Sequence, residues 1–346
     1  MKIHEKYMDR CLQLAANGLG QTYPNPMVGS VIVYQDRIIG EGWHRKAGQP
    51  HAEVVAVNSV KEKQLLPEAT LYVNLEPCNH HGRTPPCSEL IVQSGIKQVV
   101  VSKLDPNPKV AGTGIKRLQA AGIDVVQGVL EKKSIALNKR FLTYHEHKRP
   151  YVVLKWAQST DGYLAPTEQN KDQPFWISNP YSRQQAHRLR ANEQAILIGS
   201  ETLRKDNPGL DTRDWWGDSP LALIWTSTGQ LPMDRQLWDT KADKIILISG
   251  DTETNIEELP ASSARGIKEP IDILNLLYEQ GIQSLIVEGG ARVLQQFVNS
   301  GLWDEALIFE GAASISNGIK APEIQYVESE EIDLLDDRCV LYKRSL

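Results

Sequence analysis

Apolar residues in the first part of the chain switch repeatedly between helical spacing and strand alternation. Residues 4–18 place Met8, Cys11, Leu12 and Ala15 on one helical face, and the pattern stops at Asn17-Gly18. Val28 to Gly42 alternates as a hairpin, with its turn around Gln35-Asp36. A helix is expected to begin near His51, followed by a buried strand at Thr70–Leu75 and a helix over Pro86–Gln93 that Gly95 stops. Gln98–Ser102 and Asp124–Val129 read as strands on either side of a helix, Ile115–Ala121, closed by Gly122. This alternation predicts an α/β sheet covered by helices on both faces.

The stretch His145-Glu146-His147-Lys148-Arg149-Pro150 is polar, ends in proline and reads as a linker. A second α/β series follows, with apolar strands at 151–156, 195–199, 221–225, 245–248, 284–288 and 305–309. Helices are expected over 179–191 and 291–300, the latter with Leu294, Phe297 and Val298 on one face. Two domains are therefore expected, 1–147 and 148–346, in keeping with 346 residues. With 41% hydrophobic and 23% charged residues the composition is that of a soluble globular protein. The formal net charge of −5, with acids and bases mixed, speaks against a protein built to neutralise long stretches of nucleic-acid phosphate. No apolar run reaches membrane-spanning length, and Met1-Lys2-Ile3-His4-Glu5-Lys6 lacks the apolar core of a signal peptide. A cytoplasmic protein with no membrane partner is expected.

In a reducing compartment the four cysteines are not a disulfide framework. Cys11 and Cys339 sit among apolar neighbours and read as core. Cys78 and Cys87 form a close pair, which on its own fits a structural zinc knuckle or two buried thiols as well as a catalytic site. His51-Ala52-Glu53 changes that balance. One imidazole and two thiolates leave a tetrahedral zinc with an open position, the arrangement of a catalytic site, and a structural site needs no acid beside its histidine. Zinc deaminases pair H-x-E with P-C-x-x-C, the glutamate moving protons without ligating. Here the first part matches, but eight residues separate Cys78 from Cys87, so Asn79 to Pro86 must loop back to bring both thiols to one metal.

Several longer stretches resemble the bifunctional deaminase/reductase family of riboflavin biosynthesis. They are Pro24-Asn25-Pro26-x-Val28-Gly29, Gly40-x-Gly42-x-His44 and His51-Ala52-Glu53. Leu75-Glu76-Pro77-Cys78-x-His80-His81-Gly82-Arg83-Thr84-Pro85-Pro86-Cys87 and Asp105-Pro106-Asn107-Pro108 complete the set, and the eight-residue insert is itself a mark of the family. The resemblance implies a cytidine-deaminase-like α/β/α domain acting on 2,5-diamino-6-(5-phosphoribosylamino)pyrimidin-4-one. One zinc ion per chain would be held by His51, Cys78 and Cys87, with Glu53 catalytic. Asn25 and His44 would hold the ring and ribose phosphate; a turn asparagine and a satisfied surface histidine remain open for them. His80, Arg83 and Lys109 would neutralise phosphate or are solvated loop charges.

In the second half no Gly-x-Gly-x-x-Gly follows the first strand, so a Rossmann fingerprint is missing. Val287-Glu288-Gly289-Gly290 instead runs from a strand end into a helix, where backbone amides can approach a phosphate. With Gly199 to Arg213, Lys155, Ser159-x-Asp161-Gly162 and Trp176-Ile177-Ser178, this half resembles the family's reductase domain, whose fold is like dihydrofolate reductase. NADPH is the implied hydride donor. Trp176, Thr202, Asp206, Ser227, Gly290, Ala291, Arg292, Val293, Leu294, Gln295 and Gln296 would line it. Arg190, Leu210, Arg213 and Glu288 would line the phosphoribose, with Lys155 catalytic. From pattern alone Lys155 is equally readable as an outward-facing lysine on an edge strand. The chain departs from the family in carrying Pro174 where serine is frequent, and Gly311 to Gly318 where a Pro-x-Leu-Leu-Gly type loop is expected. A homo-oligomer, dimer or larger, is expected. The rival reading is a zinc deaminase acting on bases in RNA or DNA with an appended nucleotide-binding domain, against which the net acidity speaks.

Overall fold

The computed structural model describes residues 2–80, 85–106, 111–167, 176–250 and 261–344. It divides into two compact units, Met1–Lys148 and Arg149–Leu346.

In the first unit α1 (Lys2–Ala16), β1 (Gly29–Tyr34), β2 (Arg37–Trp43) and α2 (Ala52–Ser59) lead into β3 (Thr70–Leu75) and α3 (Cys87–Gln93). Then come β4 (Gln98–Lys103), α4 (Thr113–Ala120), β5 (Asp124–Gln127), α5 (Glu131–Leu137) and α6 (Lys139–His147). The sheet order is β2-β1-β3-β4-β5, antiparallel through β2, β1 and β3 and parallel from β3 to β5. Alternate residues of each strand feed opposite cores. Ile32, Val73 and Val99 pack with Ala56 and Leu118 on one face, while Val31, Tyr72 and Val100 pack with Met8 and Cys11 on the other. The hairpin turn is tight because Gln35 and Asp36 both adopt positive φ, 47° and 61°. Two glycines set how closely helices approach. A Cβ at Gly29 would run into the Cys11 carbonyl of α1, and one at Gly42 would lie 2.5 Å from Val55 of α2.

The second unit begins with β6 (Tyr151–Gln158), β7 (Tyr163–Pro166), α7 (Pro180–Asn192), β8 (Ala195–Gly199) and α8 (Ser200–Asp206). It continues through β9 (Leu221–Thr226), β10 (Lys244–Ile248), β11 (Ser262–Arg265), α9 (Pro270–Glu279), β12 (Ser284–Gly289) and α10 (Ala291–Ser300). It closes with β13 (Glu305–Glu310), β14 (Gly318–Lys320), β15 (Glu328–Leu334) and β16 (Asp337–Lys343). The main sheet runs β11-β10-β9-β8-β12-β6-β13-β16-β15, parallel as far as β13 and antiparallel beyond it. Its two faces carry separate cores, one around Leu154, Leu197 and Phe297 and one around Ile196, Ile224 and Leu237. Strands β7 and β14 pair in a small separate ribbon.

Two sequence expectations need correction. His145 to His147 are the last turn of α6, not a linker, and α5 precedes it. The polar composition hid α6 because only Phe141, Leu142 and Thr143 are buried on it. The helix ends at Lys148, whose φ of 54° is left-handed. Lys155 is not on an edge strand, since β6 lies between β12 and β13. Cys11 and Cys339 are buried. No helix among the described residues is long and apolar enough to cross a membrane.

Candidate active sites

In the first unit β3 ends at Leu75, and Cys78 lies in the turn that follows; Cys87 opens α3, and His51 is the residue before α2. Their ligand atoms lie within 4.8 Å of one another. His51 Nδ1 is 3.6 Å from Cys78 Sγ and 3.3 Å from Cys87 Sγ. The Cys87 amide donates to Cys78 Sγ at 3.3 Å. Both ends of the insert are pinned: the Ser88 amide donates to the Cys78 carbonyl at 3.1 Å, and Ser88 Oγ donates to Asn79 Oδ1 at 2.8 Å. The Cys87 thiol and amide, with His51, pull the Cys78 thiol well below the ordinary thiol range, and Cys78 in turn raises His51. One imidazole and two sulfurs at this spacing suit a tetrahedral zinc ion. Glu53, in the first turn of α2, is buried. Burial, followed by the Cys78 charge, pushes its carboxyl up to about 7, and a cation beside it would pull that down.

Asn25 and His44 meet beside this trio. Asn25 Nδ2 is 3.0 Å from His44 Nε2, His44 Nδ1 is 3.1 Å from the Pro50 carbonyl, and the His44 and His51 rings are 5.5 Å apart. Burial lowers the pKa of His44, so the ring is neutral: Nδ1–H donates to Pro50 and Nε2 accepts from Asn25.

In the second unit the carboxyl ends of adjacent strands gather the other residues singled out. Thr202 and Asp206 lie on α8 after β8, Ser227 follows β9, and Gly290 and α10 follow β12. A Cβ at Gly290 would be 3.2 Å from Thr202 Oγ1, so this turn and the Thr202 side chain of α8 lie close together. Along α10, Val293 and Leu294 turn into the core, whereas Gln295 donates to Asn299. Trp176 is exposed with Arg183 stacked 4.6 Å from its ring. Glu288 takes a two-point contact from Arg190 at 2.9 and 2.8 Å and has Lys155 Nζ at 3.8 Å. Arg190 also donates to the Asp211 carbonyl at 3.2 Å, next to buried Leu210, and Arg213 pairs with the Asp211 carboxylate. Burial lowers Lys155, only partly offset by Glu288.

A family model for the zinc-binding region of cytidine and deoxycytidylate deaminases matches residues 1–103, and one for the RibD C-terminal domain matches residues 150–313. The riboflavin biosynthesis protein RibD of Aquifex aeolicus is 39% identical over 338 residues, covering 95% of this chain and 93% of its own length. The chain belongs to the RibD family. The RibD protein of Escherichia coli is 37% identical over 322 residues, covering 88% of this chain and 86% of its own. A Thermotoga maritima crystal structure, described as a diaminohydroxyphosphoribosylaminopyrimidine deaminase and 5-amino-6-(5-phosphoribosylamino)uracil reductase, superposes with a TM-score of 0.88. It is 34% identical and covers 99% of each chain. The RibD architecture, a deaminase-type α/β domain followed by a reductase-type α/β domain, is therefore the fold of this chain.

Within this RibD framework, Arg83, Lys109 and Pro174 fall outside the described residues, and His80 is exposed. Other supporting residues were given no role from the sequence. Glu76 accepts from the backbone amides of Gly112 and Gly114, both at 2.9 Å, fastening the start of α4 to the Cys78 turn. Asn74 and Asn138 hold the backbone of Met27. Asp161 accepts from the amides of Ile315 and Ser316 at 3.1 and 2.7 Å, which fixes the loop where the chain departs from the family. A polar residue inside the apolar strand Thr70–Leu75, or an acid directly before Pro77-Cys78, was a signal for Asn74 and Glu76. Asn138 offered none.

Proposed function

We propose that the first unit hydrolyses a ring amine of 2,5-diamino-6-(5-phosphoribosylamino)pyrimidin-4-one. The second unit then reduces the ribosyl group of the product to ribityl with NADPH. Membership of the RibD family makes the chain a bifunctional enzyme, and the observation that carries the deaminase reading is Glu53 buried beside the His51, Cys78 and Cys87 donors. When held by these three residues, zinc supplies the Lewis acidity that makes water a nucleophile near neutral pH. Glu53 takes a proton from the attacking water and delivers it to the departing amine, so oxygen replaces nitrogen on the ring and ammonia leaves. Asn25 and His44 hold the ring from the side, their own hydrogen bonds fixing both amide and tautomer.

In the second unit the carboxyl ends of β8, β9 and β12 would hold NADPH, where open α/β sheets take ligands. The start of α10 would take its phosphates, and Thr202, Asp206 and Ser227, which follow β8 and β9, would flank it. When bound, the nicotinamide supplies the hydride for the sugar C1′. Lys155 orients the opened ribose and stabilises charge on the reacting group, while Arg190 keeps Glu288 ionised and in place. Arg213, paired with Asp211, would meet the ribose phosphate. Incubating the purified protein with the diaminopyrimidinone phosphate, with and without NADPH, tests both halves by mass spectrometry. Loss of one amine without NADPH and a further two-hydrogen gain with it are expected. Turnover of a tRNA base in place of the free compound would refute the reading.

A further inference from the structure

Asn25 stands two residues before Met27, and the main chain of Met27 is clamped by two buried asparagines. Asn138 Oδ1 accepts from the Met27 amide at 2.8 Å, and Asn138 Nδ2 donates to the Met27 carbonyl at 2.9 Å. Asn74 Nδ2 donates to the same carbonyl at 3.0 Å, and Asn74 Oδ1 accepts from the Gly29 amide at 2.7 Å. Ser134 Oγ donates to the Asn74 carbonyl at 2.7 Å, which links the two anchors. Asn74 is the penultimate residue of β3, the strand that runs into Cys78, and Asn138 is the corner between α5 and α6. Every polar atom of the Asn138 amide is thus spent on one residue of the loop that carries Asn25. Asn138 also lies beyond residues 1–103, which the general deaminase region covers.

We propose that Asn138 is a positioning residue for deamination: it holds the Pro24–Pro26 loop so that Asn25 meets His44 and the substrate ring at a fixed distance from the His51, Cys78 and Cys87 donors. A side chain three times removed from the chemistry acts here through main-chain geometry. Displacing a substrate-orienting group by about 1 Å can cost on the order of 100-fold in rate. The inference rests on the deaminase reading of the first unit.

The test is a double-mutant cycle in the full-length zinc protein, using Asn138→Ala, Asn25→Ala and the pair, with ammonia release from the diaminopyrimidinone phosphate as the assay. Asn138→Ala is expected to lower kcat/KM roughly 10- to 100-fold while keeping one equivalent of zinc and the wild-type reductase rate on the deaminated compound. In the Asn25→Ala background the same change should cost less than about threefold, because its target is already gone. A merely structural role would instead multiply through both backgrounds. Asn138→Ser serves as a second variant if the alanine protein does not fold. A kcat/KM within about threefold of wild type, a fully multiplicative cycle, or loss of zinc in both variants would overturn the proposal. Wild-type protein that released no ammonia would overturn the deaminase reading along with it, whereas an active wild type with an inert Asn138 overturns this inference alone.

Discussion

Replacing Glu288 with glutamine strips the counter-charge from two largely buried cations. The carboxylate meets Arg190 at 2.8 and 2.9 Å and Lys155 at 3.8 Å, and glutamine would keep the shape while losing the charge. Burial pushes this carboxyl up, but Arg190 and Lys155 override it and hold Glu288 at about 2, against an ordinary value of 4.5. Removing one partner of such a buried pair leaves the remaining charge uncompensated, a loss on the order of 3–5 kcal/mol. Because the carboxyl is depressed in the folded state, its contribution is complete above about pH 4.5 and is lost as pH falls toward 2. Urea unfolding followed by tryptophan fluorescence suits the measurement, since only Trp43 of the eight tryptophans precedes residue 148. Glu288→Gln is expected to lower the midpoint by on the order of 1–2 M at pH 7. The difference from wild type should be flat between about pH 5 and 8 and should shrink below about pH 4.5. A loss under about 1 kcal/mol at pH 7 would show that the two cations do not depend on this carboxylate.

Elemental analysis should find roughly one equivalent of zinc in the parent protein and little in Cys87→Ala; full retention in the variant would sink the ligand assignment. Glu53→Gln should keep the metal yet lose deamination by roughly 10²–10⁴-fold, with reduction of the deaminated compound unchanged; a zinc-free variant would make Glu53 a ligand. Lys155→Met should slow NADPH oxidation by on the order of 10²–10³-fold and leave ammonia release intact, so parent-rate oxidation would remove Lys155 from the chemistry.

The donor trio was legible because its signal is local: a histidine and a glutamate open one helix, a cysteine follows a strand, and another cysteine opens the next helix. Sheet strands such as Thr70–Leu75 were legible for the same reason, since continuous apolar runs mark buried strands without knowledge of their neighbours. What stayed hidden is long-range. Arg190 and Glu288 were both read toward the substrate, yet their pairing depends on β12 lying beside β8, the strand that α7 precedes. Asn138 serves a backbone more than a hundred positions away, and no pattern in its own segment reports that. Helices α5 and α6 were missed because short, mostly polar helices draw their stability from tertiary packing more than from sequence propensity.

Lys155 and Glu288 directly follow Leu154 and Val287, which are paired in register on the adjacent parallel strands β6 and β12. The spacing of the two charges is therefore inherited from the backbone ladder, about 4.8 Å between strands, and owes nothing to the length of any loop. Loops such as Gly311 to Gly318 can be rewritten while the charged pair keeps its separation. The vulnerability lies elsewhere: a one-residue slip of β12 would swing Glu288 to the opposite face of the sheet and strand both cations at once. Evolutionary or designed variants of the reductase half should thus tolerate insertions around the pocket far better than any change in the pairing of its central strands.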